Sequence, residues 1–121
     1  MYSQMFWDHV RHPRNSRPLT GAQSGEASYH RCGDKLTLYL TTENGRITQA
    51  TFQAKACAPV VAVASLATEM LQGLDVDEAC RLPIFEMDKE LGGLPPSKRH
   101  AYLLVLESIQ DALKKKNSKG R

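Results

Sequence analysis

The apolar pattern changes period at Cys57, and that change limits the folds open to the chain. Before it, Leu36, Leu38 and Leu40 alternate with Lys35, Thr37, Tyr39 and Thr41, the two-residue period of a half-buried strand. After it, Val60, Val63, Ala64, Ala67, Met70 and Leu71 recur at helical spacing, on a segment that opens at Pro59 and closes before Gly73. Strands first and helices after give an α+β fold.

The flanking sequence fills in this outline. A short strand is expected near Ala27 to His30, a second after Cys32 and a third from Ile47 to about Lys55, with Asn44-Gly45 as the hairpin turn between the last two. Consecutive short strands suit a three-stranded antiparallel sheet with helices packed on one face. Residues 2 to 11 read as a helix with Met5, Phe6 and Val10 on its apolar stripe, stopped before Pro13 and packed at the sheet edge. Asp75 and Glu78 form a capping box for a short helix that ends before Pro83. The last helix is expected to be capped by Ser97 and to bury Tyr102, Val105, Leu106, Ile109 and Leu113.

A chain of 121 residues is one domain, read as residues 1–113, followed by a basic flexible tail, 114–121. Five of the 16 basic residues lie in the last eight positions, leaving 11 against 13 acidic residues and a body charge of −2. A mildly acidic body with a frayed basic end argues against nucleic acid as a partner. No apolar run approaches the roughly 20 residues that cross a bilayer, and the start, MYSQMFWDHV, lacks the basic region of a secretory signal. The expected setting is cytoplasmic, without membrane contact. Three cysteines are too few for a disulfide framework and point to packing, metal or sulfur chemistry.

Four residues could carry that chemistry. In extended chain Cys32 and Asp34 would point the same way and offer sulfur and oxygen to one point. Cys57 lies between the third strand and the long helix, where the helix dipole favours a thiolate. His100 lies in the first turn of the last helix, whose positive end favours the neutral imidazole that metals require. The spacing is C-x-D, 22 residues, C, 42 residues, H, which matches no compact zinc finger. By spacing alone, a buried structural cysteine and a surface histidine stay as open as a metal site.

Four ordered segments carry a resemblance. DHVRHPRN is similar to D-H-x-x-x-P-R-N, CGD to a first ligand motif, FQAKACAPVVAVASLATEML to a second-cysteine segment followed by S-x-x-T-E, and LPPSKRHAYLL to L-P-P-x-K-x-H-C. Together they resemble the iron-sulfur cluster scaffold family of the IscU and NifU N-terminal type along nearly the whole chain. The resemblance implies that Cys32, Asp34, Cys57 and His100 hold a labile [2Fe-2S] cluster, iron or Zn²⁺ on a non-enzymatic scaffold or carrier. It implies a cysteine desulfurase as partner, apo iron-sulfur proteins as recipients, and an Hsp70-type chaperone at Leu94, Pro95, Pro96, Ser97 and Lys98.

The departures are specific. Ala101 stands where the family has its third cysteine, and Ala56 where it usually has a glycine. The third cysteine is the family's implied persulfide acceptor, which leaves Cys32 and Cys57 for that role here. Cys80 is expected to be a buried structural residue on the short helix. Two alternatives follow: a zinc-dependent sulfur acceptor of the SufU kind, or a degenerate paralogue acting as an interaction module. The chain lacks the insertion of the SufU branch, so the IscU side is closer.

Overall fold

The computed structural model describes residues 2–119, with side chains as far as Lys114. Helix α1 (Gln4–Arg11) precedes strands β1 (Gln23–Tyr29), β2 (Asp34–Glu43) and β3 (Arg46–Lys55). Helices α2 (Ala58–Leu71), α3 (Val76–Ala79), α4 (Ile84–Glu90) and α5 (His100–Lys119) follow. The strands form one antiparallel sheet in the order β1-β2-β3, so the α+β architecture is as the change of period implies.

Asn44 (φ 54°) and Gly45 (φ 78°) both take left-handed angles, the conformation an Asn-Gly hairpin turn requires. On β2, Leu36, Leu38 and Leu40 are fully buried and face the helices, while Tyr39 and Thr41 on the other face exchange hydrogen bonds with Gln53 and Thr48. The central helix is α2. It buries Val60, Ala62, Val63, Ala64, Leu66, Ala67 and Leu71, far more than one stripe, because β3, α1 and α5 all pack on it.

Helix α5 crosses β1 at backbone distance. A Cβ on Gly25 would lie 2.0 Å from the Ser108 carbonyl oxygen, so only glycine admits the crossing. Beside it, the outward N–H of Glu26 donates to the Asp111 carboxylate at 2.9 Å. At the opposite edge, the N–H of Phe52 on β3 donates to the Asn15 carbonyl at 2.9 Å, and that of Ile47 to the Leu74 carbonyl at 2.8 Å.

Several expectations need correction. Strand β1 begins at Gln23, four residues before the expected start, because Gly25 and the small residues around it are shaped to the α5 crossing. Helix α1 packs on α2 rather than at the sheet edge; the segment after it, at Ser16, makes the edge bridge to Phe52. On α1, Met5 is 40% exposed and His9 is buried instead. The capping box at Asp75 and Glu78 is present, but Cys80 is the half-buried C-cap of α3, and Ala79 is the residue that enters the core. Helix α4 was not anticipated, although Ile84, Met87 and Leu91 have helical spacing and Gly92 follows at φ 90°. Ser97 is not the cap of α5: Pro96–Lys98 is a 3₁₀ turn, and α5 starts at His100. The expected basic tail, 114–121, falls on residues whose side chains, from 115 onward, lie outside those described. Among the described residues no helix is long and apolar enough to cross a membrane.

Candidate metal centre

Three element starts meet at one end of the sheet. Asp34 is the first residue of β2, Cys57 the N-cap of α2 and His100 the first residue of α5. Asp34 is 2% exposed and links the other two. Its Oδ1 accepts the Cys57 backbone N–H at 2.9 Å, and its Oδ2 accepts the Cys57 thiol at 3.4 Å. The same Oδ2 lies 2.9 Å from His100 Nε2.

Burial works against a charge on Asp34. Hydrogen bonds from His100, the Cys57 N–H and the Cys57 thiol outweigh it and hold the carboxyl below the ordinary aspartate range. An ionised carboxylate only accepts, so Nε2 of His100 is assigned the proton of this hydrogen bond, which leaves Nδ1 as the ring nitrogen not engaged by Asp34. That Nδ1 is buried and has no hydrogen-bond partner. The Tyr29 ring stacks on the imidazole at 4.1 Å and fixes its plane.

Cys32 reaches the centre by a different route from the one the sequence suggests. It is not in extended chain. The β1–β2 pairing ends at Tyr29 opposite Asp34, and residues 30 to 33 form the turn, closed by Gly33 at φ 68°. The turn leaves Cys32 exposed, yet its sulfur, an Asp34 oxygen and a His100 nitrogen lie within 4.8 Å of one another. Cys57 is outside this trio and joins it through Asp34.

The expectation of a Cys57 thiolate at the helix start is also overturned. Burial pushes the thiol up, the Val60 N–H lowers it less, and the Asp34 carboxylate raises it further, so the metal-free group is a thiol. A bound cation reverses this electrostatic balance, because a coordinating thiol loses its proton outright. The donor set fits Zn²⁺ or iron in kind: two sulfurs, an imidazole and a carboxylate, all acceptable ligands of a tetrahedral ion. Where the resemblance expects a third thiol, the Ala101 methyl is wholly enclosed in the core. Beside the trio opens a cleft of about 430 Å³ lined by Tyr29, Arg31, Cys32, Pro96, Lys98 and His100. In the segment expected to meet a chaperone, Pro95, Pro96 and Ser97 are exposed, Lys98 is half-buried, and Leu94 is 4% exposed.

Two motifs quoted above prove to be a single interface. His9 Nδ1 and Ser65 Oγ are 2.6 Å apart, the Arg14 N–H donates to Ser65 Oγ at 2.8 Å, and Asn15 Nδ2 donates to Thr68 Oγ1 at 3.1 Å. Glu69 lies 3.7 Å from His9 Nε2. The D-H-x-x-x-P-R-N segment is thus held on the S-x-x-T-E turn of α2. The spacing of Ser65, Thr68 and Glu69 on one helix face was the available signal.

Comparison with known proteins gives the family. The sequence matches the NifU-like N-terminal domain family over residues 1–121, and the chain belongs to that family. It is 34% identical over 114 residues to the iron-sulfur cluster assembly scaffold protein IscU 1 of Archaeoglobus fulgidus, an alignment covering 93% of this chain and 74% of that protein. It is 35% identical over 116 residues to the scaffold protein IscU of Aquifex aeolicus, with the same coverage. Among solved structures it superposes on a SUF-system scaffold from Fervidobacterium islandicum with a TM-score of 0.78, at 21% identity, covering 93% of this chain and 96% of that one. A NifU-like N-terminal protein from Brucella abortus gives 0.76 at 20% identity, covering 97% and 94%. These two likenesses establish the fold.

Proposed function

We propose that this chain is an iron-sulfur cluster assembly scaffold or carrier, binding a labile [2Fe-2S] cluster, iron or zinc through Cys32, Asp34, Cys57 and His100. The observation that carries the reading is the meeting of Cys32, Asp34 and His100 within 4.8 Å, with Cys57 hydrogen-bonded to the same carboxylate. The cargo supplies the cationic charge that the site lacks. The protein's own residues do the rest. Asp34 holds Cys57 and His100 in place before loading, and uptake requires both thiols to release their protons. Oxygen and imidazole donors hold iron-sulfide less firmly than thiolates, which suits a protein that passes its cargo on. It acts as a carrier rather than a catalyst, in the cytoplasm. A cysteine desulfurase delivers sulfur, with exposed Cys32 as the accessible acceptor, and apo iron-sulfur proteins receive the product. An Hsp70-type chaperone would take the Leu94–Lys98 segment, and must first withdraw Leu94 from the core.

Metal and acid-labile sulfide analysis of protein purified without oxygen, before and after reconstitution, tests this. Iron and sulfide in equal amounts, lost in Cys57→Ala, support the scaffold. Zinc alone favours sulfur acceptance of the SufU kind. Neither metal nor sulfide after reconstitution overturns the reading.

A further inference from the structure

Asp34 and Tyr29 hold the His100 ring once it is in place, but whether it arrives there depends on the point at which α5 begins. Residues 91 to 99, between α4 and α5, include Gly92 and Gly93 at φ 90° and 86°, and Pro95 and Pro96. Such a segment has many ways to enter a helix. A helix that starts one residue earlier or later turns every side chain by about 100°. Such a slip would carry the imidazole away from Asp34.

One carboxylate limits these choices. Asp88, on α4, accepts the Leu94 N–H at 2.9 Å and the Tyr102 hydroxyl at 2.6 Å through Oδ1, and Arg99 Nη1 at 2.9 Å through Oδ2. Leu94 lies within the segment just after its two glycines, Arg99 ends it, and Tyr102 lies in the first turn of α5. The guanidinium of Arg99 also covers the Tyr102 ring at 5.4 Å. The Asp88 side chain is 20% exposed, so water competes little for these bonds. They bracket His100 on both sides in sequence.

We propose that Asp88 is a positioning residue for the metal centre: by tying Leu94, Arg99 and Tyr102 to α4 it fixes the phase at which α5 starts and so aims His100 at Asp34 and Cys32. This rests on the reading of Cys32, Asp34, Cys57 and His100 as the binding site. Asp88 touches no cargo and acts through His100 alone. Groups hydrogen-bonded directly to a metal-binding histidine typically change metal affinity by about 10- to 100-fold when removed, and Asp88, one step further out, belongs at the lower end of that range.

A double-mutant cycle separates this role from plain support of the fold. Co²⁺ affinity is measured, with its visible absorption, for the full chain, Asp88→Ala, His100→Ala and the double variant. Asp88→Ala should weaken Co²⁺ by about tenfold and weaken the bands of the nitrogen-ligated ion. In the His100→Ala background the same change should cost less than about twofold, because the residue it aims is gone. Asp88→Asn, which keeps an Oδ1 acceptor for Leu94 and Tyr102, should recover most of the loss. Should Asp88→Ala fail to fold, Tyr102→Phe removes one of the three bonds and should show a smaller loss, again absent without His100. Equal fold-losses in both backgrounds, or unchanged affinity in the fully folded variant, overturn the proposal while leaving the site intact. Unchanged Co²⁺ binding in His100→Ala overturns the site reading and this proposal together.

Discussion

His100 Nε2 lies 2.9 Å from Asp34 Oδ2, joining the first residue of the last helix to the first residue of the middle strand across 66 positions of sequence. Asp34 is therefore the centre of the site before any cargo arrives. Asp34→Ala leaves the Cys57 N–H and the His100 ring without their acceptor in a part-buried place, at a cost of about 1–3 kcal/mol. The melting temperature should fall by about 4 °C or more. With the carboxylate gone, the Cys57 thiol loses one of the influences that raise it and should react faster with a chromogenic disulfide. An unchanged Cys57 rate would show that burial alone holds the thiol.

The three cysteines should react in a definite order. Cys32 is exposed, whereas Cys57 is half-buried and donates to Asp34. Limited alkylation followed by peptide mass mapping should find Cys32 modified first by a wide margin. Zn²⁺ added beforehand should protect Cys32 and Cys57 and leave half-buried Cys80 as it was. Protection of Cys80 instead would place the metal elsewhere.

His9 supplies a pH dependence. Burial first, and the Arg14 charge second, depress its pKa from the ordinary value of 6.5. The unfolded chain then binds the proton more readily than the folded one, so this contribution to stability is complete above about pH 6.5 and declines as pH falls toward the depressed value. Denaturant midpoints measured from pH 7.5 to 5 should fall, and His9→Gln should flatten that slope. An equal slope in both proteins would assign the acid sensitivity to other groups.

Gly25→Ala is expected to be among the most damaging single-methyl changes in the chain. Its Cβ would meet the Ser108 carbonyl at 2.0 Å and the Ala112 nitrogen at 2.4 Å, both of them backbone. Overpacking against atoms that cannot rotate away costs about 1–3 kcal/mol or more. Chemical denaturation of the variant measures this directly, and a loss under about half a kcal/mol would mean that α5 moves freely over the sheet.

The sheet was legible in the sequence because both its signals are local: the two-residue alternation of β2 and the Asn44-Gly45 turn need no distant partner. The same holds for the Asp75 and Glu78 capping box. What sequence reasoning missed depends on distant contacts. Helix α4 shows only three apolar residues at helical spacing, and Pro83 before it reads as an end rather than a beginning. The Cys57 proton is decided by burial and by Asp34, 23 positions away, which outweigh the helix dipole that sequence position alone suggests. Cys32 does share a point with Asp34, but the turn at Gly33 brings it there and not an extended strand. The burial of His9 depends on Ser65 and Glu69, more than fifty positions away, so nothing local to α1 announces it.

The glycine at 25 and the carboxylate of Asp111 matter beyond packing. A three-stranded sheet has two outer strands for one inner one, and bare outer strands invite foreign strands to add to them. Here α5 presses on one border through Gly25 and Asp111 occupies the Glu26 N–H, while Asn15 and Leu74 occupy N–H groups along the other. Borders occupied at these points offer a foreign strand fewer donors to pair with, and so work against growth into fibrils.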